Sequence, residues 1–118
     1  MSKVIGIVGS RRRDSRDDYS VVYNKFCELF SEGDRIVSGG CPIGADKFAE
    51  QIAKANGITI SIHYPNWNKF GNGAGIRRNT FIVEDCDVLI ACVSKDRTGG
   101  TEDSIRKAQA AGKPVHIV

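Results

Sequence analysis

Short runs of β-branched residues alternate with helical stretches five times along this chain, and that alternation restricts the fold more than any other feature. Val4 to Val8 is the first run and ends at Gly9. A helix is predicted from about Asp17 to Ser31, with Val22, Phe26, Leu29 and Phe30 at helical spacing and Gly33 as its stop. Arg35 to Ser38 reads as a second strand. Ala45 to Asn56 is the clearest helix, because Ala45, Phe48, Ala49, Ile52 and Ala53 form one apolar stripe that Gly57 ends. Ile58 to His63 is a third strand, and Tyr64 to Gly75 reads as irregular. A helix from about Ile76 to Glu84, a strand over Val88 to Val93, a helix over Thr101 to Ala111 and a strand over Val115 to Val118 complete the pattern. Strands rich in Val and Ile, each followed by a helix, imply an α/β fold of three layers with a mainly parallel five-stranded sheet covered on both faces. With 118 residues the expectation is one domain spanning 1–118.

In such a sheet, ligands bind beyond the carboxyl ends of the strands, near the point where strand order reverses. The loops at those ends hold the unusual residues. Ser38-Gly39-Gly40-Cys41-Pro42-Ile43-Gly44-Ala45-Asp46 and Thr98-Gly99-Gly100-Thr101 each follow a predicted strand and open a predicted helix. The first amide protons of a helix have no intrahelical partner, and the macrodipole favours negative charge there. Glycine lets a phosphate approach that backbone closely. Two such loops suggest a pocket for a phosphorylated, nucleotide-like ligand. Asp46 falls in a first helical turn, where it either accepts ribose hydroxyls or complements the dipole. Thr101 either caps its helix or meets a phosphate oxygen. Neither loop is a Walker sequence or G-x-G-x-x-G.

Other candidates lie in the neighbouring loops. Gly73-Ala74-Gly75-Ile76-Arg77-Arg78-Asn79 places arginines at a predicted helix start, against the dipole preference, so Arg78 is either a phosphate ligand or part of a surface ion pair. Gly9, Ser10 and Arg11 follow the first strand and face the expected pocket, whereas Arg12 and Arg13 read as a solvated basic edge. Ser94 opens the loop that leads to Thr101. Trp67 is either a stacking surface for a base or a hydrophobic plug. No nucleophilic triad is readable. If a reaction occurs, Glu102, Asp103 and Asp46 are the candidate catalytic acids. The 17 Lys and Arg exceed the 14 Asp and Glu only slightly, for a formal net charge of +3. That balance, with no extended basic stripe, argues against nucleic acid as the partner. The four cysteines lack C-x-x-C spacing and read as reduced thiols of a cytoplasmic protein, not as metal ligands. No metal and no membrane segment is expected, and the sequence assigns no cofactor beyond the expected nucleotide-type ligand.

Taken in order, Gly9-Ser10-Arg11, then Ser38-Gly39-Gly40-x-x-Gly44-Ala45-Asp46, then Gly75-x-x-Arg78-Asn79, then Gly99-Gly100-Thr101 resembles the YspA-like branch of the SLOG superfamily. That superfamily also includes the LOG phosphoribohydrolases and the DNA-processing protein DprA. The resemblance covers essentially the whole chain. It implies a Rossmann-like sheet that takes nucleotides or nucleotide-derived ligands, in relatives that either cleave an N-glycosidic bond or only sense or carry the ligand. It implies that the glycine loops and Thr101 hold phosphate, and that Arg78 and Asn79 clamp it or order the site. Related sheets often pair, so a homo-oligomer is compatible with the resemblance. The LOG enzymes resemble P-G-G-x-G-T-x-x-E at the last loop, whereas Ser104 stands here in place of that glutamate. The favoured reading is therefore a binding, carrier or sensor module, with N-glycosidic hydrolysis or transfer on a nucleoside phosphate as the alternative.

Overall fold

The computed structural model describes residues 2–118 and contains one five-stranded sheet. Its strands are β1 (Val4–Gly9), β2 (Arg35–Ser38), β3 (Ile60–Ile62), β4 (Val88–Cys92) and β5 (Val115–Ile117), in the order β3-β2-β1-β4-β5. Every pairing is parallel, with Ile5 opposite both Ile36 and Val88 in register. The helices are α1 (Arg16–Leu29), α2 (Ala45–Asn56), α3 (Trp67–Phe70), α4 (Ala74–Asp85) and α5 (Gly100–Ala110). The fold is an α/β, three-layer, Rossmann-like domain fold. The chain winds outward from β1 to β3, then crosses to β4 and β5, so strand order reverses between β1 and β4.

Strand periodicity builds the two cores. Along β4, Val88, Ile90 and Cys92 pack with α1 and α2, whereas Leu89 and Ala91 pack with α4 and α5. Ile5 and Ile7 face the first core and Val8 the second. Phe48 of α2 is 2% exposed and meets Tyr19 edge to face at 5.4 Å. Removing a ring so placed costs roughly 3–5 kcal/mol. Ser15 caps α1 in a capping box with Asp18, and Gly57 closes α2 in the left-handed conformation.

Several boundaries differ from expectation for identifiable reasons. The sheet is wholly parallel. β3 is shorter than Ile58 to His63, as suits an edge strand paired only with β2. The stretch from Tyr64 to Gly75 is not irregular throughout: the Asn66 side chain accepts from the Lys69 amide and starts α3, and a 3-10 turn over Gly71–Gly73 leads directly into α4. Because α4 begins at Ala74, Arg78 lies beyond its first turn, and the dipole argument for that arginine does not apply. Arg13 is not a solvated edge. Its half-buried guanidinium binds Asp18 at 2.7 Å and donates to the Val93 and Val118 carbonyls at 3.0 and 2.9 Å, tying the end of the chain to β4.

Candidate functional site

A cleft of about 750 Å³ opens at the carboxyl ends of the strands, beside the point where strand order reverses. The β1–α1 loop brings Gly9, Ser10 and Arg11 to it, and Gly39, Gly40 and Asp46 come from the β2–α2 segment. Trp67, Arg78 and Asn79 come from α3 and α4, and Gly99, Gly100 and Thr101 from the start of α5. Trp67 and Tyr64 are 59% and 66% exposed on the rim, so Trp67 is not a plug under the loop.

The two glycine-rich turns share a backbone shape. Gly44 caps α2 with φ 85° and ψ −152°, and Gly99 caps α5 with φ 102° and ψ −173°. That region is essentially confined to glycine. Neither helix has a side-chain cap, so Thr101 does not cap α5 but lies inside its first turn.

Their surroundings differ. Around α2 the protein takes the Gly44 and Cys41 amides for itself, while those of Ala45 and Asp46 have no partner among the described residues. The Gly44 amide donates to Asp14 Oδ1 at 2.8 Å, and the Cys41 amide donates to Asp46 Oδ2 at 3.1 Å. Asp14 is held in turn by Lys47 at 2.6 Å, and these two contacts lower its pKa. Gly44 and Ala45 do not line the cleft: the Ser10 carbonyl stands 2.7 Å from where a Gly44 Cβ would lie, and Ala45 is fully buried against Gly9. Ser38 does not reach it either, because its buried hydroxyl donates to the Ile7 carbonyl at 2.7 Å and meets Asp46 Oδ1 at 3.1 Å. Asp46 is therefore neither a cap nor a solvated ligand group. Burial raises its pKa, offset by the Cys41 amide, the Arg78 charge and the Ser38 hydroxyl.

At α5 the amides of Gly99, Gly100 and Thr101 have no partner among the described residues. A Cβ on Gly100 would meet only Asn79 Nδ2, at 3.9 Å, and one on Gly99 would meet nothing within 4 Å. The carboxylates of this turn are paired within the protein, Asp103 Oδ2 also accepting from Asn79 Nδ2 at 3.3 Å. Glu102 receives Arg97 at 2.8 and 3.0 Å, which lowers its pKa, and Asp103 pairs with Lys107 at 2.8 Å. Neither lines the cleft, so the expectation of Glu102 or Asp103 as a catalytic acid has no geometry behind it. Ser94 is also absent from the lining. Its buried hydroxyl organises the loop by binding Asp96 at 2.8 Å and accepting from the Thr98 amide at 3.2 Å.

Arg78 and Asn79 join the two turns. The Arg78 guanidinium donates to the Gly39 carbonyl and to Asn79 Oδ1 at 3.1 Å, and Asn79 Nδ2 reaches the Gly100 carbonyl at 3.2 Å. Arg77 instead stacks on Phe70, 4.4 Å from the ring centroid. Arg12 bridges from the β1–α1 loop to Asp96 and the Thr98 hydroxyl at 2.8 and 2.7 Å. Arg11 lines the cleft with no ion pair among the described residues. Sequence reasoning missed Asp14 and Arg12 as a bridge, and it singled out Ser104 only as the residue in place of the LOG glutamate. Only Ser104 left a signal, three residues after Thr101 on the same helical face.

No protein-family model matches the chain, and no curated protein matches it. Solved structures do. The molybdenum cofactor binding protein of the phototrophic bacterium Rippkaea orientalis superposes with a TM-score of 0.78 at 25% identity, covering 99% of this chain and 76% of that one. The molybdenum cofactor carrier protein of Chlamydomonas reinhardtii gives 0.76 at 21% identity, over 99% and 76% of the two chains. DNA processing protein A of Helicobacter pylori, a single-stranded DNA binder, gives 0.75 at 22% identity, and this chain spans 64% of its length. The chain thus has the SLOG-type, DprA-related fold that molybdenum cofactor carriers and DNA processing protein A share.

Proposed function

We propose that this chain binds a small phosphorylated ligand of nucleotide type, as a carrier or sensor, in the cleft at the carboxyl ends of its strands. The observation that carries this reading is the α5 turn, with three cleft-lining amides that lack protein partners at a helix N-terminus. Arg11 adds a positive charge to the same cleft, and Trp67 offers a stacking face on the rim. The α2 side suits the uncharged end of the guest, since the Asp46 carboxylate, held by Ser38 and the Cys41 amide, repels phosphate. Phosphate therefore belongs at α5 alone. The likeness to proteins described as binding or carrying the molybdenum cofactor supports a carrier role and makes that cofactor one candidate guest. The residue order of the YspA-like branch and a cytoplasmic setting for the four free cysteines fit the same reading.

Native mass spectrometry of the protein purified from cells, followed by calorimetry, tests it. The calorimetric panel holds nucleoside monophosphates, the matching nucleosides, ADP-ribose and the molybdenum cofactor. Phosphorylated members are expected to bind at least about tenfold tighter than unphosphorylated ones, a difference of about 1.4 kcal/mol. Equal affinity for nucleoside and nucleotide, or no binding across the panel, overturns the reading.

Asp46 favours a second reading. Among the described residues it is the one carboxylate in the lining, and its raised pKa is what a general acid needs. In the hydrolytic form of this reading, water adds to C1′ of a nucleoside monophosphate as Asp46 protonates the departing base, releasing free base and ribose phosphate, and Asp46→Asn would abolish that release.

A further inference from the structure

We propose that Ser104 is a ligand-binding residue whose hydroxyl donates to the phosphate held at the α5 turn; the inference rests on the reading of the cleft given above. Ser104 is 1% exposed and lies in the cleft wall, and its Oγ has no hydrogen-bond partner among the described residues. A buried hydroxyl in that state destabilises the protein that carries it, and alanine would fill the same space without that cost.

A helical serine ordinarily relieves this by donating to the carbonyl four residues back. Here that carbonyl belongs to Gly100, and it receives Asn79 Nδ2 at 3.2 Å. Ser104 stands three residues beyond Thr101, so both hydroxyls lie on one face of α5, next to the open amides. The acidic neighbours that would repel an anion are held aside, Glu102 by Arg97 and Asp103 by Lys107. This wall thus presents hydrogen-bond donors and no carboxylate. Such a wall matches the oxygens of a phosphate monoester, which accept and do not donate.

Ser104→Ala in the full chain separates a ligand role from a packing role. Calorimetry would use AMP, adenosine and inorganic phosphate, and thermal melting would be recorded with and without AMP. Without ligand the variant should melt at the same temperature as the parent or higher. Its affinity for AMP and inorganic phosphate should fall about tenfold while that for adenosine is unchanged. If the parent binds AMP and the variant binds it equally well, the Ser104 assignment fails and the reading of the cleft survives. Equal losses for AMP and adenosine also overturn it, by showing a general packing effect. If the parent binds neither AMP nor inorganic phosphate, the Ser104 inference falls, and the cleft reading falls with it only if no phosphorylated member of the panel above binds.

Discussion

The α2 and α5 turns begin alike and end with opposite roles. Both place a glycine N-cap in the same rare backbone region, both follow a strand, and both lack a side-chain cap. At α2 the protein takes the cap amide, since Asp14 accepts from Gly44 and Asp46 accepts from the Cys41 amide, and neither Gly44 nor Ala45 lines the cleft. At α5 the donors are left to solvent or to a guest. The glycines divide in the same way. A Cβ on Gly39 would come within 2.8 Å of Arg78 and Asp46, and one on Gly44 would press on the Ser10 carbonyl, whereas Gly100 has open space around it. A glycine-rich turn before a helix is therefore a statement about backbone shape. Whether it binds anything depends on which side chains arrive from elsewhere.

The largest test of this contrast is at the caps. Gly44→Ala combines a backbone region foreign to alanine with a contact at 2.7 Å, so it should cost about 3 kcal/mol or more, measured by urea denaturation. A loss under about 1 kcal/mol would show that the α2 turn is not built for packing.

Gly100→Val is the complementary case. Stability should change by less than about 1 kcal/mol, since nothing crowds the site. Affinity for phosphorylated ligands should fall by two orders of magnitude or so, because the side chain covers the amides that hold a charge-assisted hydrogen bond. Undiminished binding by a folded Gly100→Val protein would remove the α5 turn from the site.

Arg78→Ala tests the bridge between the turns. It removes donors to the Gly39 and His63 carbonyls and a positive charge beside Asp46, so about 2 kcal/mol of stability should be lost. Adenosine and AMP should then weaken together, since the whole wall shifts. A selective loss of AMP, with stability intact, would instead make Arg78 a direct phosphate ligand.

Asp46→Asn should show the smallest effect, as a pH dependence. Burial raises the Asp46 pKa, so the folded chain holds that proton to higher pH than the unfolded chain does. The contribution of Asp46 to stability is present below the unfolded carboxylate value, about 3.9, and declines as pH rises through the raised folded value. The difference between variant and parent should therefore move in favour of the variant across that interval. A pH-independent difference in urea denaturation would contradict the burial of a charged Asp46.

Much of the architecture was legible before the structure. The apolar stripe of α2 and the β-branched runs of β1 and β4 are local patterns, and they predict the layers. Illegible parts depend on distant partners. Ser38 and Ser94 sit in the right loops, yet each spends its hydroxyl inside the protein, on Ile7 and on Asp96. Arg78 was suspected for the wrong reason, because α4 starts two residues before the predicted point and moves it past the first turn. Its partner, the Gly39 carbonyl, is 39 residues away. Asp14 was not suspected at all, since nothing near it in sequence announces a contact with Gly44.

By itself the sequence determined the five strands, four of the helices and the glycine-rich turns that open α2 and α5, though neither α3 nor the first residues of α4, because side-chain periodicity and backbone freedom are properties of neighbours along the chain. Tertiary structure alone decided that strand order reverses between β1 and β4, that Arg78 and Asn79 join the two turns, and that Asp14 takes the cap amide of α2 while that of α5 stays open in the cleft. Those outcomes are set by which donor meets which acceptor across tens of residues, and a hydrogen bond of that kind has no signature in the local sequence at either end.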